Sequence, residues 1–195
     1  MKRLLAATMA ICFTLLPPGT GQAAQESWYT YWGIGWASNS YSGEVGNVLE
    51  SAKDDGLDHV SLSLDMLGFY WTLPGNPKTL LGFVVNGTGD RYDGGKDDWV
   101  QVNSYLLGVS SMHFFGREPG AGFFIRADLG MAVFSVSSSG DDSENSDIGY
   151  GGLIGGGYGI PVSEGTRILI NINYAYKHAA GDTVGSLGIS VGGLF

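Results

Sequence analysis

The stretch from Arg167 to Lys177, "RILININYAYK", constrains the fold more than any other part of the chain. Ile168, Ile170, Ile172, Tyr174 and Tyr176 fall at every second position. Arg167, Asn171, Asn173 and Lys177 fill the places between, with Leu169 among them. Successive side chains of a β-strand point to opposite faces, so this segment makes a strand with one greasy and one polar side. Two further stretches repeat the pattern. Phe123, Ile125, Ala127, Leu129, Met131 and Val133 alternate with Phe124, Arg126, Asp128, Gly130 and Ala132, and Val60, Leu62, Leu64 and Met66 alternate with Ser61, Ser63 and Asp65. The direction in which the ionised face points then fixes the architecture.

Strand-like segments recur at 28–38, 58–72, 78–89, 98–113, 122–137, 147–161, 166–178 and 183–195. Only "GEVGNVLESAKDDG", Gly43 to Gly56, reads as a short helical piece within a loop. Glycine accounts for 33 of 195 residues, more than twice the usual share of about 7%. Aromatics are frequent and proline is scarce, a combination that suits a sheet closed on itself. The connections alternate. "LPGNPK", "GREPGAG" and "PVSEG" are tight turns, whereas 39–57, 89–98 and 137–146 are longer and polar. The last connection, 179–182, is polar but short. Most of the 19 acidic residues fall at the long-loop rim, and the short turns hold only Glu118 and Glu164. This is the plan of an all-β, eight-stranded, antiparallel up-and-down barrel whose rims face different surroundings.

Period two by itself fits a soluble barrel as well as a membrane one. Three further features select the membrane. Lys2 and Arg3, the apolar run to Leu16 and the small residues Gly21 to Ala24 have the layout of a secretory signal peptide over residues 1–24, leaving a barrel domain over 25–195. Cys12, the one cysteine, lies in that leader behind bulky Ile11, so neither a lipid-anchored cysteine nor a disulfide is expected. The loop asymmetry is the third. A cation on the lipid face near the midplane costs about 2–4 kcal/mol, so Arg126 and Arg167 belong inside, and the apolar set faces hydrocarbon. Without Lys2 and Arg3 the chain is two charges more negative than its formal −9, which disfavours nucleic-acid binding.

Eight strands leave an interior just wide enough for side chains to fill. Buried charges need partners, so Asp65, Arg126, Asp128, Arg167 and Lys177 are expected to form a lumen network with Gln101, Asn103, Asn171 and Asn173. An inward row of glycines at 149, 151, 155, 157 and 159 makes room for them. The expected result is a plugged core. Tyr70 and Trp71, and Tyr174 and Tyr176, fit aromatic girdles at the two interfaces. For the first strand, periodicity groups Trp28, Trp32 and Trp36 on one face and Tyr29 and Tyr31 on the other, and assigns neither set to lipid.

The closing stretch "SLGISVGGLF" puts Leu187, Ile189, Val191 and Phe195 on one face and ends on an aromatic residue. In this, and in its overall pattern, residues 25–195 resemble the small eight-stranded bacterial outer-membrane barrels of the OmpA/OmpX type. The resemblance implies a place in the outer membrane of a Gram-negative bacterium and contact with its lipid and lipopolysaccharide. It also implies that Phe195 is the C-terminal signal read by the barrel-assembly machinery. The expectation is a monomeric, non-enzymatic barrel with acidic outer loops and a structural, adhesive or envelope-interaction role. A lipid A-modifying hydrolase and a small channel are the alternatives.

No cofactor, metal or catalytic set is expected. His59, His113 and His178 are scattered, and metal ligation asks for closer spacing. "DRYDGGKDD" and "SSSGDDSENSD" lack the full ligand pattern of a calcium loop. His178, in "YAYKHAAGD", resembles the His-x-Ser region of the lipid A 3-O-deacylase barrels, but Ala180 stands where that resemblance requires the nucleophilic serine. A serine or carboxylate within about 3 Å of His178 would favour the hydrolase.

Overall fold

The computed structural model describes residues 28–54, 57–95 and 98–195. The expected leader and the 24/25 boundary lie outside these residues, as do Asp55 and Asp97. In order, the chain forms β1 (Trp28–Ser42), α1 (Glu44–Asp54), β2 (Asp58–Leu73), β3 (Asn76–Gly95), β4 (Asp98–Phe114), β5 (Gly122–Ser138), β6 (Asp141–Asn145), β7 (Gly149–Pro161), β8 (Arg167–Ala179) and β9 (Asp182–Leu194). Each strand pairs antiparallel with its neighbours, β5 pairs with β7, and β1 pairs with β9, so β1–β5 and β7–β9 close a ring of eight. The short β6 hangs on β5 as an edge outside that ring. The seam extends to the last residue: the Phe195 amide donates to the Thr30 carbonyl and the Thr30 amide to the Phe195 carbonyl, each at 2.9 Å.

The wall is inverted relative to a soluble protein. Trp36 is 74% exposed, Phe123 70% and Leu129 68%, while Arg126, Asp128 and Lys177 are buried. Large apolar side chains of every strand in the ring are exposed on its outer face, and hydrocarbon is the medium that matches them. β8 alternates without a break from Arg167, buried, to Tyr176, exposed. In β1 the structure settles which face meets lipid: Trp28, Trp32 and Trp36 point out, and Tyr31 is buried.

β2 departs from strict alternation. A bulge between Asp65 and Leu67 puts Met66 and Leu67 both outside. Without it, Leu67, Phe69 and Trp71 would follow Asp65 into the lumen. With it they reach lipid, and Tyr70 turns inward. The girdle position expected for Tyr70 is therefore corrected: it is fully buried, with its hydroxyl 2.8 Å from that of Ser110.

A second departure corrects Gln101 and Asn103. The span 89–98, expected as a loop, is strand through Gly95, and β3 and β4 rise together as a hairpin pairing Gly89 with Asn103, Arg91 with Gln101 and Asp93 with Trp99. On this raised part the inward residues are Tyr92 and Val102, while Arg91, Asp93, Gln101 and Asn103 lie on the other face. The Gln101 side-chain amide donates to the Asn103 side-chain oxygen at 3.1 Å, both outside the barrel. The reason is a change of solvent along one strand. Below Tyr105 the wall meets hydrocarbon and sends apolar groups out. Above it the wall meets water, and the ordinary rule returns.

The inner face of the raised wall is covered by α1, within the 43–56 span expected to be helical. Val45 and Leu49 are buried with Tyr92 and Val102, and Tyr41, Leu57, Val100 and Val136 pack around them. The helix has no Ser, Thr, Asp or Asn at its own N-terminal boundary, which is Gly43. The cap comes from the far end of the chain: the Val45 amide donates to Asp182 Oδ1 at 3.3 Å. This explains the brevity of the last connection. β8 and β9 are joined by Ala180 and Gly181, both at positive φ (52° and 90°), a tight hairpin turn that holds Asp182 against the helix.

Candidate functional site

The lumen is filled in layers. At the short-turn rim, Tyr31, Tyr70, Leu80, Met112, Phe114, Phe124, Leu169 and Leu194 form a buried apolar plug. Above it lies an ionic centre. Arg126 Nη2 donates to Asp65 Oδ1 at 2.8 Å and to Asp128 Oδ2 at 2.7 Å, and Arg126 Nε also reaches Asp128, at 3.0 Å. These side chains are essentially inaccessible. Asp65 is further bound by Asn86, at 3.1 Å, and by the Tyr31 hydroxyl, at 3.1 Å. Tyr31 in turn accepts from Asn171 Nδ2 at 2.9 Å, and Ser110 donates to Asp128. The Arg126 guanidinium carbon lies 5.5 Å from the centre of the Tyr31 ring.

Of the nine residues expected in the network, Asp65, Arg126, Asp128 and Asn171 thus meet around one centre. Asn173 is inward and buried, and its side chain occupies the space a Cβ on Gly155 would take. Lys177 is buried one layer higher, over Gly151, and makes no ion pair among the described residues. Its Nζ donates to the Ser104 carbonyl at 2.9 Å and to the Ser104 hydroxyl at 3.0 Å. Arg167 points inward but stands at the first position of β8, on the turn rim. It donates to the carbonyls of Pro119, at 3.2 Å, and Glu164, at 2.8 Å, and so ties two turns together instead of joining the centre. Gln101 and Asn103 lie outside, as described. Sequence reasoning missed Tyr31, Asn86, Ser104 and Ser110. In β4 each face mixes polar and apolar residues, so parity gave no signal for Ser104 and Ser110.

At the mouth below α1, buried Asp90 accepts from Asn39 Nδ2 at 3.0 Å and lies 3.0 Å from His59 Nε2, whose ring stacks on Tyr92. At the hairpin tip, the Gly95 amide and then the Arg91 guanidinium hold the Asp93 carboxyl below its usual range. Arg91 also lies over Trp99, 4.7 Å from the ring centre. His113, on the opposite rim, is 2.8 Å from the Thr79 hydroxyl. His178 meets the hydroxyl of Thr183 at 3.1 Å and the ring of Tyr150, so its partner is neither a serine nor a carboxylate. Among the described residues, no three His, Cys, Asp or Glu side chains converge as metal ligands would.

No family model matches the sequence, and no curated protein matches it. Solved structures do. Ail, the attachment invasion locus protein of Yersinia pestis, solved with the heparin analogue sucrose octasulfate, is similar at 13% identity and a TM-score of 0.51, over 87% of this chain and 99% of that one. Neisserial surface protein A is similar at 17% identity and a TM-score of 0.49, over 85% of this chain and 95% of that one. The outer membrane protein OprG of Pseudomonas aeruginosa is similar at 14% identity and a TM-score of 0.41, over 87% and 96%. With the ring of eight strands, the apolar wall and the ionic centre in place, the fold is that of the small eight-stranded outer-membrane barrels of the OmpA/OmpX type.

Proposed function

We propose that this chain is a monomeric outer-membrane barrel of a Gram-negative envelope that carries nothing through its lumen and does its work at the helix rim, in a structural or adhesive role. One observation carries the reading: the interior is closed at both ends, by the apolar plug around Phe114 below and by α1 above. The raised β3–β4 hairpin and β5–β6 extension offer the surface for contact. Exposed Glu44, Glu50, Asp58, Asp98 and Glu144 make that rim acidic; of the cations described there, Arg91 is held by Asp93 and Lys53 stands exposed in the last turn of α1. Among the described residues of this rim exposed acids outnumber the cations, so a cationic or neutral partner is favoured over a polysulfated ligand of the kind bound to Ail. Surrounding lipid and lipopolysaccharide are the remaining contacts. Phe195, paired with Thr30 and stacked near Trp32, is the proposed C-terminal signal for the assembly machinery.

Membrane fractionation with a heat-modifiability gel, followed by planar-bilayer recording, tests this. A heat-modifiable outer-membrane protein without steady conductance is expected. Steady large currents would defeat the closed lumen. The hydrolase reading keeps one observation, the Thr183–His178 contact. Among the described residues the contacts of His178 are the Thr183 hydroxyl and the Tyr150 ring, and neither is the third group that orients the imidazole in a hydroxyl–histidine mechanism. Incubation with lipid A and mass spectrometry separates the two, because a lost acyl chain is incompatible with a non-enzymatic barrel.

A further inference from the structure

On the outside of the barrel, β8, β9 and β1 lie side by side, and their register stacks side chains in rows. Ile172, Ile189 and Trp36 form one row. Above it come Tyr174, Leu187 and Ser38, then Tyr176, Gly185 and Ser40, then His178, Thr183 and Ser42. The wall changes from hydrocarbon-facing to hydroxyl-bearing within one step of the pleat. Gly185 sits in the middle of the change, and a Cβ there would come within 3.3 Å of the Tyr174 hydroxyl. The missing side chain leaves a groove of about 330 Å³, lined by Ser38, Ser40, Ser42, Tyr174, Tyr176 and Thr183, with no Lys, Arg, Asp or Glu in its lining. That volume is at the small end of ligand sites.

We propose that this groove binds the sugar headgroup of a glycolipid in the leaflet on the helix-rim side. The inference rests on the outer-membrane reading above and names a site on that surface. Hydroxyls both donate and accept, as sugar hydroxyls do, so the lining complements a neutral polyol. The Tyr174 and Tyr176 rings supply apolar faces for a sugar ring. A phosphate would need a cation, and neither lysine nor arginine lines the groove; His178 Nδ1, beside it, already meets the Thr183 hydroxyl at 3.1 Å. The depth selects a lipid over a free sugar: the row directly beneath, Trp36, Ile189 and Ile172, is apolar and exposed, and gives acyl chains a path continuous with the wall.

The test uses the barrel inserted in phosphatidylcholine nanodiscs, with diglucosyl diacylglycerol added and backbone amides followed by NMR. Saturable shifts confined to Ser38, Ser40, Thr183, Gly185 and their neighbours are expected. Gly185→Leu and, separately, Ser40→Leu should weaken them at least tenfold while the rest of the spectrum is kept. Phosphatidylglycerol and free disaccharide should leave these amides unmoved. The proposal is overturned by shifts spread around the whole girdle, by equal shifts with phosphatidylglycerol or free disaccharide, or by full binding in both variants. A chain that does not insert at all refutes the membrane reading itself, whereas an inserted barrel with a silent groove refutes only the site.

Discussion

Replacing Arg126 by methionine tests the ionic centre most severely. The guanidinium is the one cation between two carboxylates, at 2.8 Å from Asp65 and 2.7 Å from Asp128, and all three side chains are shut off from water. Arg126→Met leaves two buried anions without a counter-charge, a change that costs about 3–5 kcal/mol when one partner of a buried pair is removed. The second anion does not double the cost, because Asn86 and Tyr31 still donate to Asp65, and Ser110 to Asp128. At typical urea sensitivities of about 1–3 kcal/mol per molar, the midpoint should fall by roughly 2 M. Asp65→Asn is the informative contrast. It removes one of two negative charges and leaves Arg126 paired with Asp128, so its cost should be well below that of Arg126→Met. The triple change Arg126→Met, Asp65→Asn, Asp128→Asn should recover most of the loss, since buried ion pairs exchange for neutral groups with little net effect. The assay is urea unfolding of the micelle-inserted barrel, read as loss of the fast-migrating band without boiling. An Arg126→Met protein with an unchanged midpoint, or one no weaker than Asp65→Asn, would refute the reasoning.

The other expectations concern the helix rim. Leu49→Ala empties a buried site beneath α1 and should cost the docked helix about 2–4 kcal/mol, seen as faster amide exchange over Glu44–Asp54 with the β8 amides unaffected. Asp182→Ala removes the cap and should loosen the first turn of α1 by about 1 kcal/mol, read from exchange at the Val45 amide. Asp93 has a lowered folded-state pKa, so its contribution to the hairpin tip is present above the ordinary carboxylate pKa of about 3.9 and is lost as pH falls through the lowered value. The Gly95 amide shift should therefore titrate below that pH while amides in the barrel wall hold still.

How legible the fold was depended on whether a strand met one solvent or two. β8 lies almost wholly in the apolar band, and its alternation is unbroken. β4 crosses from hydrocarbon into water near Tyr105, so the meaning of polarity reverses halfway along it. Gln101 and Asn103 obey the soluble rule, and Ser110 the membrane one. The Met66–Leu67 bulge was hidden because both residues are apolar and either could have faced lipid. Arg126 with Asp65 and Asp128 could be grouped from inward parity alone. The settings of Lys177 and Arg167 could not, because they depend on height in the barrel: one lies against Ser104, the other among turn carbonyls. The cap on α1 joins residues 137 positions apart and leaves no local trace.

A spin-label scan of β5, one site at a time from Phe124 to Ala132 with Arg126 and Asp128 left in place, is the most direct test of the inverted wall. Collision with lipid-soluble oxygen should be high at 125, 127, 129 and 131 and low at 124, 130 and 132. High accessibility at the even positions, or no alternation at all, would contradict it.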